Sequence, residues 1–181
     1  MAMEIERRFL VCGDQWQAHV RWRRHLQQGY LAVAGDGLTV RVRQADGQAW
    51  LTIKGRPRQG AAVPDWVRQE FEYPIPAGDA EALLALAPVR LSKWRHGLDL
   101  PGGEWVLDVF EGDNAPLVVV EVELPDADQP LALPPWCGLE LTGRPELSNA
   151  ALAHQPFAHW PLPQRQALMA QPDGATAQAD A

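Results

Sequence analysis

The stretch Met3-Glu4-Ile5-Glu6-Arg7-Arg8-Phe9-Leu10-Val11 opens the chain with charged and apolar residues in alternation. In a β-strand, successive side chains point to opposite faces, so Glu4, Glu6 and Arg8 share one face. Burying three charges on one face costs free energy unless a ligand or partner compensates them. Two carboxylates spaced by two residues can hold a hard cation together, so this strand predicts a charged interior site.

The composition is that of an ordinary soluble domain, with 46% hydrophobic and 22% charged residues among 181. The net charge of −7 argues against nucleic acid as a partner, because duplex-binding proteins carry basic surfaces. No apolar run reaches the roughly 18 residues that span a bilayer, and the charged N-terminus is unlike a signal peptide. Cys12 and Cys137 fit reduced thiols. We therefore expect a cytoplasmic protein that binds neither nucleic acid nor membrane.

Alternation with a period of two continues along the chain and predicts seven further strands. They are 29–33, 38–43, 49–54, 66–75, 89–100, 104–111 and 117–124. The second and third of these flank Asp46-Gly47, a favoured hairpin turn. Eight strands with short links and few helices favour an antiparallel barrel.

Helices are expected in three places. Residues 15–27 show apolar residues at i, i+4 spacing, Asp79 is placed to cap a helix that ends at Ala87, and a third helix follows Pro145 over 146–154. Residues 55–64 and 125–136 are Pro-rich loops. The predicted organisation is one domain over 1–160 and a disordered tail over 161–181, which is rich in Pro, Gln and Ala.

Charged residues fall on one face of these strands. The cations are Arg8, Arg41, Arg43, Lys54, Arg68, Lys93 and Arg95, and the anions are Glu4, Glu6, Glu70, Glu72, Asp108, Glu121 and Glu123. An open sheet with a solvated, ion-paired face is one interpretation. A barrel with a wet, charged interior is favoured, because five strands carry charges at i, i+2, with cations and carboxylates grouped on different strands.

Such an interior suits a compact polyanion bound together with a metal. Carboxylates bind Mg²⁺ or Mn²⁺ through oxygen, and guanidinium and ammonium groups bind phosphate. The predicted ligand is a triphosphate chelated to a divalent metal, hydrolysed by a metal-assisted water. The chain has neither the GxxxxGK[ST] motif of P-loop proteins nor the GxGxxG of dinucleotide-binding folds.

The motif Glu4-x-Glu6-x-Arg8 resembles the ExExK signature of the CYTH domain, the triphosphate tunnel metalloenzymes. Further blocks resemble the family in its own order. They are Val40-Arg-Val-Arg43, Leu51-Thr-Ile-Lys54-Gly, Arg68-Gln-Glu70-Phe-Glu72-Tyr, Lys93-Trp-Arg95, Leu107-Asp108-Val-Phe-Glu111-Gly, Val120-Glu121-Val-Glu123-Leu and Leu147-Ser148-Asn149-Ala-Ala-Leu152. The resemblance covers residues 1–157. It implies an eight-stranded antiparallel tunnel that binds triphosphate and metal.

Position by position, the resemblance implies roles for the charged residues. Metal binding falls to Glu4, Glu6, Asp108, Glu121 and Glu123; triphosphate binding falls to Arg8, Arg41, Arg43, Lys54, Lys93 and Arg95; and Arg68, Glu70 and Glu72 line the tunnel. Arg8 stands where the motif has lysine. In short bacterial members that lysine acts with a tyrosine to organise the attacking water, and Tyr30 lies where this tyrosine is expected.

The resemblance implies a metal-dependent inorganic triphosphatase of the short bacterial type. A class IV adenylate cyclase, or another organic triphosphate hydrolase, is the alternative within the enzymes. A polyphosphate- or nucleotide-binding module with weak turnover is a second alternative, because arginine cannot act as a base in place of lysine. A homodimer is also considered, since eight tryptophans leave room for an aromatic contact patch.

Overall fold

A computed structural model describes residues 2–35, 38–55, 68–126 and 129–170, with the backbone alone at residues 2–4 and 68. The described strands are β1 (Ala2–Glu4), β2 (Glu6–Val11), β3 (Val20–Val33), β4 (Thr39–Ala45), β5 (Gln48–Gly55), β6 (Arg68–Pro74), β7 (Val89–Leu98), β8 (Glu104–Phe110), β9 (Val118–Glu123) and β10 (Cys137–Glu140). The helices are α1 (Ala77–Leu86), α2 (Asn149–His154) and α3 (Leu162–Met169). The mainly β fold with flanking helices is confirmed, although these ranges contain ten strands and not eight.

All ten strands belong to one antiparallel sheet in the order β1-β6-β5-β4-β3-β7-β8-β9-β2-β10. The N-terminal segment takes part at both ends of this order, because β1 pairs with β6 whereas β2 pairs with β9. A single residue, Ile5, separates the two strands. The opposite sides of the sheet are thus joined through one stretch of chain, without a continuous ladder, so "barrel" describes the fold only loosely.

Strand β3 replaces the predicted helix over 15–27, and that prediction was wrong. Residues Gln15–His19 form one 3-10 turn, and the chain then runs as a strand of 14 residues to Val33. This strand pairs with β7 from Val20 to Tyr30 and with β4 from Gln27 to Val33. The i, i+4 apolar pattern favours a helix only weakly, because local propensity is easily overridden by tertiary contacts. Here the hydrogen bonds to β4 and β7 stabilise the strand instead.

The hairpin of β4 and β5 is confirmed, with its turn at Asp46-Gly47. Asp46 and Gly47 have φ angles of 49° and 76°, the positive values that a two-residue primed turn requires. The ladder pairs Arg41 with Thr52 and Thr39 with Lys54. The turn therefore fixes which side chains of the two strands share a face.

Apolar clusters cover both faces of the sheet. On the face that carries the charges, Leu10, Leu91 and Phe110 pack with Leu152 of α2 and Leu168 of α3. Helices α2 and α3 therefore close the apolar end of this face, and the charged part lies beyond it. A second cluster fills the opposite face; it includes Phe9, Trp16, Trp105, Leu107, Val120 and Trp136.

Helix α1 packs on the opposite face of β3, β4 and β5. A Cβ on Gly29 of β3 would lie 2.6 Å from the Cβ of Ala87 and 3.2 Å from Leu84 Cδ2, so only glycine allows this close approach. Helix α1 begins after Pro76, and Asp79 lies in its first turn. The prediction that Asp79 caps this helix was wrong.

The C-terminal part departs from the predicted outline in three places. The helix predicted over 146–154 is divided into a 3-10 turn, Pro145–Leu147, and α2, whose Ala151 N–H donates to the Ser148 side chain. Strand β10, absent from the prediction, pairs with β2. Helix α3 forms in the first part of the predicted tail and contributes a buried Leu168.

Some of the sequence predictions fall where the structure gives no description. Residues 171–181 of the predicted tail and most of the 55–64 loop lie outside the described residues. Within the described ranges, no helix has both the length and the apolar character needed to cross a bilayer.

Candidate active site

The ladder register places the predicted charges on one face of the sheet, called here the lumen. Cross-strand partners include Arg8 with Glu121, Arg95 with Asp108, and Lys54 with Glu70. The lumen residues brought together by the register are Glu6, Arg8, Tyr30, Arg41, Arg43, Lys54, Glu70, Glu72, Lys93, Arg95, Asp108, Glu121 and Glu123. The backbone of Glu4 pairs with that of Arg68, and the side chains of both lie outside the described part.

Asp108 on β8 is the anchor of two lumen cations. Its carboxylate accepts from Lys93 Nζ at 2.6 Å and from Arg95 Nε and Nη2, each at 2.7 Å. Burial acts to raise the pKa of Asp108, but Arg95 and Lys93 outweigh it and hold the pKa below its ordinary value. Burial lowers the pKa of Lys93 to about 8, with Asp108 opposing the shift. A metal role for Asp108 requires displacement of one of these cations.

Glu121 on β9 joins this cluster to the N-terminal motif. It accepts from Arg95 Nη2 at 2.7 Å and from Arg8 Nε at 3.1 Å. Burial acts to raise the pKa of Glu121, and the surrounding cations, led by Arg95 and Arg8, lower it well below the ordinary value. The carboxylate is therefore held charged.

Arg8 keeps part of its guanidinium unused. Besides its bond to Glu121, its Nη1 donates to the carbonyl of Leu147 at 3.2 Å. Its Nη2 is buried and has no hydrogen-bond partner among the described residues. A buried charged donor without an acceptor costs free energy, and an anion bound beside Nη2 would remove this cost.

The β4–β6 wall carries the other cations. Arg43 donates to Glu72 at 2.7 Å, and Lys54 Nζ lies 2.9 Å from Glu70. Burial and the neighbouring charge of Arg41 together lower the pKa of Arg43 to about 10. Arg41 Nη2 donates to Thr52 Oγ1 at 3.1 Å, whereas its buried Nε finds no acceptor within the described ranges.

Tyr30 lies in the lumen, as its predicted role requires. It is 4% exposed, and the ladder places it opposite Arg41. Burial raises the pKa of its hydroxyl, while the charges of Arg41, Lys54 and Arg8 oppose the shift. Gln28 Nε2 donates to the hydroxyl at 3.0 Å. The phenol is thus neutral and held in place by a residue that the sequence analysis did not assign.

Glu6 and Glu123 lie at the outer end of the charged face. The ladder pairs them directly, and Glu123 is exposed. Burial raises the pKa of Glu6, and repulsion by Glu121 adds to the shift. Among the described residues, no three His, Cys, Asp or Glu side chains form a cluster that could hold a metal ion. The side chain of Glu4 lies outside the described part of the chain.

Two further side chains of the site were not predicted. Thr52 Oγ1 donates to Glu72 at 2.9 Å, between the two guanidinium groups of β4. Asn149 Oδ1, at the start of α2, accepts from Lys93 Nζ at 3.0 Å. Thr52 shares its strand face with Lys54, so alternation alone could have placed it in the lumen. Only tertiary packing brings Asn149 there.

The antiparallel sheet, with its ion-paired charged face and flanking helices, is the architecture that the sequence motifs predict. The CYTH domain family model matches residues 2–142, and the chain belongs to this family.

Relatives of known activity cover nearly the whole chain. An inorganic triphosphatase from Acetivibrio thermocellus is 35% identical over 163 residues, which are 88% of this chain and 99% of that protein. An inorganic triphosphatase from Nitrosomonas europaea is 37% identical over 155 residues, 83% of this chain and 96% of the relative.

The fold also matches solved structures. A crystal structure of an inorganic triphosphatase aligns with a TM-score of 0.59 at 34% identity, covering 84% of this chain and 95% of the other. A protein from Pyrococcus horikoshii, 18% identical with a TM-score of 0.51 over 69% of this chain and 81% of its own, shares the fold.

Proposed function

We propose that this protein is an inorganic triphosphatase that hydrolyses tripolyphosphate in the lumen with the help of Mg²⁺ or Mn²⁺. The observation that carries the proposal is the pair of buried guanidinium nitrogens, Arg8 Nη2 and Arg41 Nε, that have no acceptor in the described part of the chain. Both donors belong to the lumen, where a phosphate chain would satisfy them. The similarity to two inorganic triphosphatases over most of the chain supports the same substrate.

The lumen cations are the substrate-binding set in this proposal. Arg8, Arg41, Arg43, Lys54, Lys93 and Arg95 hold the phosphate oxygens by charge-assisted hydrogen bonds. Asp108 orients Lys93 and Arg95, and Glu72 together with Thr52 orients the β4 arginines. Because phosphoryl transfer depends on positioning and charge neutralisation, a lumen whose cations are already held in place lowers the cost of reaching the transition state.

The metal is assigned to the carboxylates of the N-terminal motif and of β9. Burial raises the pKa of Glu6, and repulsion by Glu121 adds to the shift, so a divalent cation held by these carboxylates would favour their charged forms. Oxygen donors of this kind fit Mg²⁺ or Mn²⁺. We add Glu123, which the ladder pairs with Glu6, and Glu4, which the N-terminal motif implies. Such an ion would supply charge neutralisation and activation of water.

The proposal is tested by phosphate release from tripolyphosphate and from ATP, each with Mg²⁺, with Mn²⁺ and with a chelator. Tripolyphosphate should be hydrolysed much faster than ATP, and the chelator should abolish release. Equal or reversed rates for the two substrates would overturn the assignment. Formation of cyclic AMP and pyrophosphate from ATP would establish a cyclase in its place.

A further inference from the structure

Gln28 is a buried, uncharged residue in the charged lumen. It lies on β3 between Leu91 of β7 and Arg43 of β4, and it is 1% exposed. Its amide nitrogen donates to the hydroxyl of Tyr30 at 3.0 Å. This contact fixes the plane of the amide and therefore the direction of its oxygen.

The amide oxygen of Gln28 is buried and has no hydrogen-bond partner in the described part of the chain. Buried polar atoms in folded proteins are almost always satisfied, so each exception requires an explanation. Among the described lumen side chains, three buried atoms are thus left without a partner: the donors Arg8 Nη2 and Arg41 Nε, and the acceptor Gln28 Oε1. A phosphate oxygen can accept from both guanidinium groups, but a fully ionised phosphate has no hydrogen to give to Gln28. The acceptor therefore fits a water molecule.

We propose that Gln28 is a catalytic residue whose Oε1 accepts a hydrogen bond from the water that attacks the terminal phosphorus, an inference that rests on the proposed triphosphatase function. A glutamine amide can orient a nucleophilic water in phosphoryl transfer without acting as a base. The new bond joins the water oxygen to the terminal phosphorus. The bond to the bridging oxygen breaks, and the leaving diphosphate keeps that electron pair.

The protons balance without any change at the amide. The two hydrogens of the water end on the two products, one on orthophosphate and one on diphosphate, and Gln28 neither gains nor loses a proton. Its contribution is to aim a lone pair of the water oxygen at phosphorus, with Tyr30 holding the amide in place. The expected loss on its removal therefore lies in kcat and not in substrate binding.

The test compares Gln28→Met with Gln27→Met, in kinetics with tripolyphosphate and in melting temperature with and without it. Gln27 is the neighbouring residue of the same type, exposed on the opposite face of β3. Gln28→Met should lower kcat at least about tenfold, with the tripolyphosphate-induced melting shift retained. Its melting temperature without ligand should change little, because the loss of the hydrogen bond to Tyr30 is offset by the removal of an unsatisfied buried acceptor. Gln27→Met should match the wild type in every measurement.

A double-mutant cycle tests whether Gln28 acts on the water directly or only by positioning Tyr30. Gln28→Met should lower kcat again in a Tyr30→Phe background; if it has no further effect there, Gln28 acts only by holding Tyr30 and the proposal fails. Unchanged kcat in Gln28→Met also overturns it. If Gln28→Met does not fold, Gln28→Asn is used instead. It shortens the side chain by one methylene and should likewise lower kcat. If the wild type hydrolyses a different triphosphate, the proposed substrate is wrong, and the variants are compared on that triphosphate.

Discussion

Arg8 shows how one substitution in a motif can alter the chemistry of a site. The guanidinium of Arg8 donates to Glu121 through Nε and to the Leu147 carbonyl through Nη1, whereas Nη2 has no acceptor among the described residues. A lysine ammonium has three donors on a single atom and cannot reach such separated partners with a planar fork. Arg8 is therefore suited to bind phosphate while it remains anchored, and it is not suited to accept a proton.

Removal of the Arg8 charge should impair use of the substrate. Arg8→Met should lower kcat/KM for tripolyphosphate about 10- to 100-fold, because a charge-assisted hydrogen bond contributes about 1.5–3 kcal/mol. Arg7→Met is the matched control: Arg7 lies on the opposite face and binds Glu140, so kcat/KM should stay within about twofold of the wild type. Equal losses in the two variants would indicate a general defect in the strand and contradict the assignment.

The sequence predicted that the charged residues share one face of the sheet, which the ladder register confirms for those described, but it did not predict the neutral residues beside them. Charges at i, i+2 on a strand cost free energy to bury. Their repetition on several strands therefore predicts a charged interior face even from a single sequence. Gln28 carries no charge, and a glutamine in a strand is more often solvent-facing. Its role becomes visible only when burial and the empty position at Oε1 are known.

Among the elements, the sequence predicted hairpins better than long-range pairings. The β4–β5 hairpin is encoded locally by Asp46-Gly47. Strand β3 has apolar residues that fit either a helix or a strand, and only its ladders to β4 and β7 decide between them. Strand β10 is four residues long and follows a Pro-rich loop, so its pairing with β2 has no local signal. Helix α3 is short and depends on the burial of Leu168.

Helix α2 contributes to the site through its first residue, and this contact should be measurable in stability. Asn149→Ala removes an acceptor from the buried Lys93 ammonium, so the free energy of unfolding should fall by about 1–3 kcal/mol. Asn149→Asp keeps an acceptor and should recover most of the loss. Urea denaturation gives both values.

The control for this contact is His154→Ala at the exposed end of the same helix. It should leave the free energy of unfolding within about 0.5 kcal/mol of the wild type. If Asn149→Ala is as stable as His154→Ala, the hydrogen bond to Lys93 contributes nothing to the fold. Alanine is the better helix former, so any loss in the first variant cannot come from propensity.

At the scale of the whole molecule, the lumen without ligand is close to electrical balance. The register places comparable numbers of cations and carboxylates on this face, and most of them are paired with each other. Tripolyphosphate alone would add a large negative charge to this balanced set. Entry of the anion together with a divalent cation would keep the balance, because the carboxylates that lose their arginine or lysine partners would gain the metal as a partner. Binding of the two ligands should therefore be coupled.

This coupling predicts how ligands change thermal stability. Tripolyphosphate with Mg²⁺ at about 100 times its Kd should stabilise the fold by about 2.7 kcal/mol by mass action. Tripolyphosphate with a chelator, or Mg²⁺ alone at the same concentration, should give a much smaller rise in melting temperature. Sodium sulfate at matched ionic strength controls for general salt effects. A rise that is equal with Mg²⁺ and with the chelator would show that the cations of the lumen hold the phosphate chain without a metal, and the assignment of Glu6 and Glu121 as ligands would then be wrong.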